Sequence, residues 1–289
     1  MRRREFAMLV GPSVVVMLGL LLLPLVRTIQ WSLQEVNYGE PGRFVGLDNY
    51  TEAFGDPRFG KAVVFTVILT LIVTAVLLVA GYLLAVLVNG LGRAKPYVLG
   101  LLLVPYVIPH IVGATMFSWL FNPNYGGVVN YFFEKLTGAQ VFWMSETWPN
   151  RVIVSLDTVW SMLPFAMLII VAGLQGVSTE ILEAAKIDGA SPLRVHLSVI
   201  IPSIRGVLGF VALISIMDVV RTFDALIPLS PQAVQIGNES IMLYIYNVAF
   251  QNGGQNLGLG SAINVLLILL IVVLLLPFIR GVAKESSQA

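Results

Sequence analysis

The sequence contains no cysteine and few charges. In 289 residues without cysteine, disulfide bonds, thiolate metal sites and cysteine nucleophiles are excluded. Charged residues make up 11% and apolar residues 57% of the chain, whereas soluble domains are about 25% charged. A soluble globular domain is therefore excluded, and the scarcity of charge and of sustained heptads also excludes disordered and coiled-coil classes. The composition predicts a polytopic integral membrane protein.

Histidine and clustered positive charge are also scarce. The two histidines, His110 and His196, are too few for a His-based metal site, and the net charge of +1 is too dispersed for a nucleic-acid-binding face. The chain has no Gly-x4-Gly-Lys-Ser/Thr phosphate loop, no His-Glu-x-x-His and no Gly-x-Ser-x-Gly. We therefore expect no metal site, no nucleic-acid partner and no enzymatic activity, and any ATP must be used by other subunits.

Six apolar segments are each long enough for a membrane-spanning helix, which needs about 20 residues. The first follows Arg2–Arg4 but is too long for a signal peptide and lacks its cleavage site, so it is expected to stay as a span. We predict one transmembrane domain over residues 1–289. The spans are expected at about 7–30, 62–88, 97–121, 152–174, 203–228 and 259–279.

The distribution of Lys and Arg predicts that both termini are cytoplasmic. Ten basic residues then lie on the inner face and five on the outer face. The inner set is Arg2, Arg3, Arg4, Arg93, Lys95, Lys186, Arg194, Arg205, Arg280 and Lys284, and the outer set is Arg43, Arg58, Lys61, Lys135 and Arg151. Trp31, Trp119, Trp143 and Trp148 fall near the predicted outer boundary and are interpreted as interfacial anchors.

The one long inner loop, residues 175–202, reads as two short helices joined by a turn. Ser178 is a candidate N-cap of the first helix, and Gly189 can adopt the left-handed backbone conformation that ends it. Ser191 is a candidate N-cap of the second helix, with Pro192 at its first helical position. Ala184 and Ala185 would let another surface approach closely. The pattern indicates a docking helix, and a helix lying on lipid headgroups remains the alternative, although that would favour more Lys and Arg.

Within this loop, Glu183-Ala184-Ala185, three residues, Gly189, nine residues and Val199-Ile200-Ile201-Pro202 resemble the EAA loop of binding-protein-dependent ABC importer permeases. The pattern there is EAA-x3-G-x9-I-x-L-P, so Val199 and Ile201 are conservative departures. The resemblance assigns coupling to an ATPase to six residues. They are Glu183, Ala184, Ala185, Asp188, Gly189 and Pro202.

Other segments are similar to sugar permeases of the maltose-transporter type. They are Phe44–Tyr50, Trp160–Phe165, Ala172–Gln175 and Arg221–Asp224, whereas Pro228–Gln232 replaces a Gly-rich turn that the family often carries. The resemblance implies a type I ABC importer permease with six transmembrane helices. It also implies a heterodimer with a second permease, two ATPase subunits that use ATP and Mg, and an extracytoplasmic binding protein. Transport by alternating access in a bacterial or archaeal cytoplasmic membrane follows from that resemblance.

The fourth span carries a polar stripe that suits a sugar. Thr158, Ser161, Met162 and Phe165 recur at i, i+3, i+4 and i+7 and so share one helix face. Hydroxyl groups, a thioether and an aromatic ring can bind sugar hydroxyls and a sugar ring face, and ordinary interhelix packing is the alternative. Trp160 and His110 are interpreted as packing residues.

Three charges recur every three residues in the fifth span. Asp218 with Thr222 is a candidate substrate-facing pair, and Arg221 with Asp224 a structural or gating charge pair. Few intramembrane cations favour a neutral polyhydroxylated solute, with polyols or glycerol phosphates as alternatives. A stand-alone secondary transporter would show inverted repeats, and we detect none.

Overall fold

The computed structural model describes residues 3–37, 42–251 and 255–286. The chain divides into two compact units, Met1–Gly60 with Ile241–Leu270, and Lys61–Ser240 with Ile271–Ala289. Most described residues are helical. In chain order the elements are α1 (Arg3–Ser32), β1 (Gln34–Glu35), β2 (Arg43–Phe44), α2 (Asp48–Gly55), α3 (Pro57–Asn89), α4 (Lys95–Leu102), α5 (Val104–Val107), α6 (His110–Phe121), α7 (Val128–Thr137), α8 (Thr147–Gln175), α9 (Thr179–Ile187), α10 (Pro192–Val195), α11 (Ile201–Ser203), α12 (Arg205–Val220), α13 (Leu226–Leu229), α14 (Ala233–Ile236), α15 (Ile241–Tyr246) and α16 (Leu257–Ser286). Short 3₁₀ turns lie at Gly92–Ala94 and Pro123–Tyr125, and π-helical turns at His196–Ile200 and Asn247–Gln251.

Four predicted spans are continuous helices in the described part of the chain. Their apolar stretches are Val10–Ser32, Pro57–Asn89, Thr147–Gln175 and Leu257–Leu276. Proline does not interrupt α1 at Pro12 and Pro24, nor α8 at Pro164. The predicted segments 7–30, 62–88, 152–174 and 259–279 are confirmed as helices, most of them running a few residues further.

The third predicted span, 97–121, is wrong as a continuous helix. The chain bends by 92° between Gly92–Val107 and His110–Phe121. Ile108 and Pro109 at the bend both have extended backbone. Proline disfavours helical geometry in the residue before it, so Pro109 explains why helix α5 stops at Val107.

The fifth predicted span, 203–228, starts close to the observed helix but is wrong at its C-terminal end. Its helix, α12, runs only from Arg205 to Val220, and residues 192–203 meet it at a bend of 71°. Residue Ile204 at that bend is not helical (φ −103°, ψ 15°). Counting each bent pair as one span, the described residues contain six helical segments long and apolar enough to cross a membrane, as expected for the predicted fold class.

In the unit Lys61–Ser240, α8 is the central helix and packs against α5, α6, α12 and α13. Its side chains Ile153, Met167 and Ile170 are fully buried. At its end, Gly173 meets α12 so closely that an added Cβ would lie 3.0 Å from Val207 Cγ1. Small residues at such crossings let helix backbones approach in membranes, and this one holds the last turn of α8 against the fifth span.

In the other unit, Asn49 joins helix α2 to the end of α1. Its Nδ2 donates to the carbonyl oxygens of Ser32 at 3.0 Å and Gln34 at 2.9 Å, and Tyr50 Oη donates to Ser32 Oγ at 2.8 Å. The strands β1 and β2 form an antiparallel hairpin beside this junction. The Asn49-Tyr50 pair of the Phe44–Tyr50 segment therefore has a structural role, which is to fix α2 at the end of the first span.

Candidate functional site: a polar cavity and an exposed helix-turn-helix

The 175–202 loop forms the predicted pair of short helices. Ser178 occupies the N-cap position of α9 without a side-chain capping bond, and Gly189 adopts the left-handed conformation (φ +73°) that ends the turn. Ser191 caps α10 by accepting a hydrogen bond from the Arg194 amide at 3.4 Å, and Pro192 is the first residue of that helix. The helix-turn-helix geometry is therefore confirmed.

No residue of α9, α10, the π-turn or α11 is buried in the described chain. The apolar side chains of Ile187, Leu193 and Leu197 are exposed by 86%, 68% and 58%. In a membrane protein, such an apolar surface contacts either lipid or another subunit. The six residues predicted for coupling share this exposure: Glu183, Ala184, Asp188, Gly189 and Pro202 are exposed and Ala185 is half-buried.

One side-chain hydrogen bond ties this loop to the second span. Tyr82 Oη on α3 lies 2.7 Å from Nδ1 of His196, and the two rings meet edge to face with centroids 5.9 Å apart. His196 begins the π-helical turn that precedes the 71° bend. Isolated π-turns inside helices are often found at functional sites. Sequence reasoning missed this contact because the partners are 114 residues apart.

A polar cavity of about 300 Å³ lies in the same unit. That volume is at the lower end of the range for small-molecule sites. Its lining combines residues of the third, fourth and fifth spans with the segment that follows α12. They are Tyr106, His110, Met162, Phe165, Asp218, Arg221, Thr222, Phe223 and Asp224.

Aromatic rings form one wall of the polar cavity. Tyr106 and Phe165 stack with centroids 5.4 Å apart and an interplanar angle of 15°. Tyr106 lies just before the break at Pro109, and His110 just after it, so the break brings both residues to the cavity. The sequence gives a partial signal for them, namely Pro105 and Pro109 flanking an aromatic residue, but the packing interpretation of His110 is wrong because the residue is exposed and lines the cavity.

The cavity includes four of the six predicted substrate-path residues, Met162, Phe165, Asp218 and Thr222. Thr158 and Ser161 do not line it. Both are buried, and their hydroxyl groups donate to the backbone carbonyls of Val154 at 2.7 Å and Thr158 at 3.0 Å. Of the four residues predicted to share one face of the fourth span, Met162 and Phe165 therefore line the cavity, whereas Thr158 and Ser161 are buried away from it. Trp160 packs as predicted, against Phe117 at a centroid distance of 5.3 Å.

The predicted charge pair of Arg221 and Asp224 is not formed. Because α12 ends at Val220, Arg221 is its C-cap and Asp224 lies beyond the helix, so the i, i+3 geometry that would join them is lost. In the described chain Arg221 forms no ion pair with Asp224 or Asp218. All three charged side chains are exposed and line the cavity instead.

A buried polar network holds the segment after the cavity against the start of α8. We define it as Thr147, Asn150, Arg151, Ser230 and Asn238. Asn150 Nδ2 donates to the carbonyls of Trp143 at 3.2 Å and Leu229 at 2.7 Å, and its Oδ1 accepts from Ser230 Oγ and from Asn238 Nδ2. Asn238 Nδ2 also donates to the Thr147 carbonyl at 2.8 Å. Asn150 and Asn238 are fully buried, so this network fixes the backbone that leads away from the cavity.

Comparison with known proteins agrees with this architecture. The chain is 30% identical over 290 residues to the trehalose transport system permease protein SugA of Mycobacterium tuberculosis, covering 99% of this chain and 92% of SugA. It is 26% identical to the trehalose/maltose transport system permease protein MalF of Thermococcus litoralis, over 94% of this chain and 92% of that protein.

Among solved structures, one chain of a bacterial ABC transporter involved in the import of the acidic polysaccharide alginate has the same fold. The TM-score is 0.82 at 19% identity, and the match covers 97% of this chain and 95% of that one. A family model described as the binding-protein-dependent transport system inner membrane component matches residues 78–284. This range contains the polar cavity and the 175–202 loop, and the chain belongs to that family of inner membrane transport components.

Proposed function

We propose that this chain is a permease subunit of an ATP-driven ABC importer that translocates a sugar or related polyhydroxylated solute. The observation that carries the proposal is the 175–202 loop, a helix-turn-helix in which the apolar side chains of Ile187, Leu193 and Leu197 are largely exposed among the described residues. SugA and MalF, which are named as transport system permeases, support the same activity.

The importer needs subunits that this chain does not contain. A second homologous permease, two ATP-binding cassette subunits and an extracytoplasmic binding protein complete it, and the ATPases use ATP and Mg. The 289 residues act as one permease domain with no enzymatic activity or cofactor of its own. Both termini lie on the cytoplasmic side of a bacterial or archaeal membrane in this proposal, which the surplus of Lys and Arg on one set of loops supports.

Coupling follows from the geometry of the loop. An ATPase seats α9 through the face that includes Glu183, Ala184 and Ala185, and the turn at Gly189 fixes the angle to α10. Closure of the ATPases then moves the loop, and the Tyr82–His196 bond carries that movement to the second span. The polar cavity is exposed alternately to the two sides by this rigid-body movement.

The substrate class rests on the lining of the polar cavity. The Tyr106–Phe165 stack offers an apolar face to a sugar ring, and Asp218 and Thr222 offer acceptors and a donor to its hydroxyl groups. A glycerol phosphate is a second candidate because Arg221 lines the cavity and forms no ion pair with its neighbours Asp218 and Asp224. A screen of the cognate binding protein against sugars, polyols and glycerol phosphates decides between them.

Substitution of Gly189 tests the importer. Proline is confined to φ near −65° and cannot adopt the φ of +73° found at Gly189, so Gly189→Pro should abolish ATP-dependent uptake by the assembled transporter. Gly209→Ala is the matched control, because an added Cβ there meets no atom within 4 Å. Normal uptake with Gly189→Pro, or transport by the purified chain without any ATPase, would contradict the proposal.

Substitution of Asp218 tests the cavity. Asp218→Asn keeps the shape of the side chain and removes the charge, and a hydrogen bond to a charged group contributes about 1.5–3 kcal/mol. We expect uptake at low substrate concentration to fall about tenfold or more, with ATPase subunits still bound. Asp48→Asn, an exposed residue of α2, is the control. Unchanged uptake kinetics with Asp218→Asn would remove this residue from the substrate path.

A further inference from the structure

An apolar groove lies between α3 and α8, near the ends where the two helices begin. It has a volume of about 250 Å³ and is lined by Phe65, Ile68, Leu69, Ile72, Trp148, Arg151, Val152, Ser155 and Leu156. Arg151 is the one charged residue in this lining. We name it the Arg151 groove. None of its residues lines the polar cavity, so its occupant is not explained by the proposed function.

The guanidinium of Arg151 is held in place through its Nε, and its terminal amino groups remain as unused hydrogen-bond donors within the described part of the chain. Its Nε donates to Asn238 Oδ1 at 2.8 Å, and the group lies over the Trp148 ring, 4.8 Å from the centroid. Its terminal amino groups make no hydrogen bond to any residue that the structure describes. A guanidinium fixed at one edge and free at the other is preorganised to bind a phosphate through two parallel hydrogen bonds.

A second cation stands at the same end of the groove. Lys61 lies one helical turn before Phe65 and is exposed, and residues four apart share a helix face. From Lys61 to Ile72 the helix rises about 16 Å at 1.5 Å per residue, close to half of a hydrocarbon core about 30 Å thick. The cations and the apolar lining are thus separated as headgroup and acyl chain are in one leaflet.

The size of the groove selects its occupant. The groove has a volume of about 250 Å³ and extends over the rise of about 10 Å between Phe65 and Ile72. A helix with its side chains is about 10 Å across and is too wide to enter, whereas a single hydrocarbon chain fits. A span of a second permease is therefore the poorer candidate for this groove.

We propose that the Arg151 groove binds one anionic phospholipid from the leaflet at the Lys61 and Trp148 end of the spans. Arg151 and Lys61 bind the phosphate, and an acyl chain lies along Phe65, Ile72 and Leu156. Trp148 supports the guanidinium and occupies the interfacial depth that indole rings favour. Each basic residue near a membrane surface attracts anionic lipid independently of transport, so this binding does not rest on the proposed function.

Tryptophan quenching tests the site in the full chain. The chain is reconstituted in phosphatidylcholine vesicles that contain a small fraction of either phosphatidylglycerol or phosphatidylcholine with brominated acyl chains. Brominated phosphatidylglycerol should quench more strongly than brominated phosphatidylcholine, and Trp148→Phe should remove the difference. Lys61→Gln should reduce the preference about fivefold, and Arg151→Gln at least as much.

The controls separate the site from general surface charge and from misfolding. Lys135→Gln removes an exposed cation that also lies over an aromatic ring, Tyr131, and should leave the preference unchanged. Lys61 has no described side-chain contact to lose, so Lys61→Gln tests the site even if Arg151→Gln fails to fold. Equal quenching by the two lipids, full preference in Lys61→Gln, or loss of quenching when a second permease is bound would overturn the proposal.

Discussion

The buried polar network and the 175–202 loop are built in opposite ways. In the network, Asn150 uses both amide hydrogens and accepts two hydrogen bonds at Oδ1, all from residues of its own chain. In the loop, no described helical residue is buried, and apolar side chains such as Ile187 face outward. The amide of Asn150 is fully satisfied within the chain, whereas the loop presents an uncovered apolar surface.

This difference indicates which part of the molecule is rigid. A fully satisfied buried polar cluster has one arrangement, because a shift of any member leaves a polar atom without a partner in a medium of low dielectric constant. Among the described residues, one side-chain hydrogen bond joins the loop to the second span, the Tyr82–His196 bond. The network therefore resists rearrangement, and the loop depends on few contacts to hold its position.

The largest expected effect comes from breaking the network. Asn150→Ala removes the hydrogen bonds of a fully buried amide and leaves the Ser230 hydroxyl, the Asn238 amide and two carbonyls short of a partner. Each unsatisfied buried group costs about 1–3 kcal/mol, so we expect a loss of about 3 kcal/mol or more in the free energy of unfolding. Thermal unfolding of the purified chain in detergent measures the loss.

The control for that substitution is Asn124→Ala, since Asn124 is exposed in a turn and contributes only its backbone amide to a hydrogen bond. It should unfold at the temperature of the unsubstituted chain. If the two variants unfolded alike, the network would not be the rigid element described above, and the contrast with the loop would fail.

A smaller loss of stability is expected when the hydrogen bond between Tyr82 and His196 is removed. Tyr82→Phe keeps the ring against His196 and removes the 2.7 Å hydrogen bond, which contributes about 1 kcal/mol. Stability should therefore change by no more than about 1 kcal/mol, whereas ATP-dependent uptake should fall about fivefold because the loop transmits less of its movement. Uptake and ATPase rates of the reconstituted transporter measure the two quantities together.

Tyr97→Phe is the matched change, because Tyr97 is exposed by 82%. It should alter neither quantity. A stability loss in Tyr82→Phe as large as that in Asn150→Ala would show that the tie is part of the core, and unchanged uptake would show that it carries no movement.

Most of the architecture could be predicted because it depends on local composition. Runs of apolar residues reveal spans, and the left-handed stop at Gly189 and the cap at Ser191 depend on neighbours within a few residues. The effect of each proline could not be predicted in the same way. Pro164 lies inside a continuous helix and Pro109 ends one, because surrounding helices decide whether a freed carbonyl finds another partner.

The cavity was predicted in part for a similar reason. Met162, Phe165, Asp218 and Thr222 follow helical periodicity and were found, whereas Tyr106 and His110 reach the cavity through the 92° break. The interpretation of Arg221 and Asp224 as a pair requires a helix that continues past Val220, where α12 ends. The buried polar network could not be predicted from the sequence, because Asn150 and Asn238 are 88 residues apart and no local sequence pattern distinguishes either residue.

The π-turn at His196–Ile200 lies between α10 and the bend that precedes α12. A π-turn holds one residue more than an α-turn. Its conversion to α geometry would rotate one flanking helix against the other by about 100° and shift it by about 1.5 Å. Because His196 lies at the first position of that turn, such a rotation would change which face of α10 is presented to a partner, and α12 could remain packed against α8.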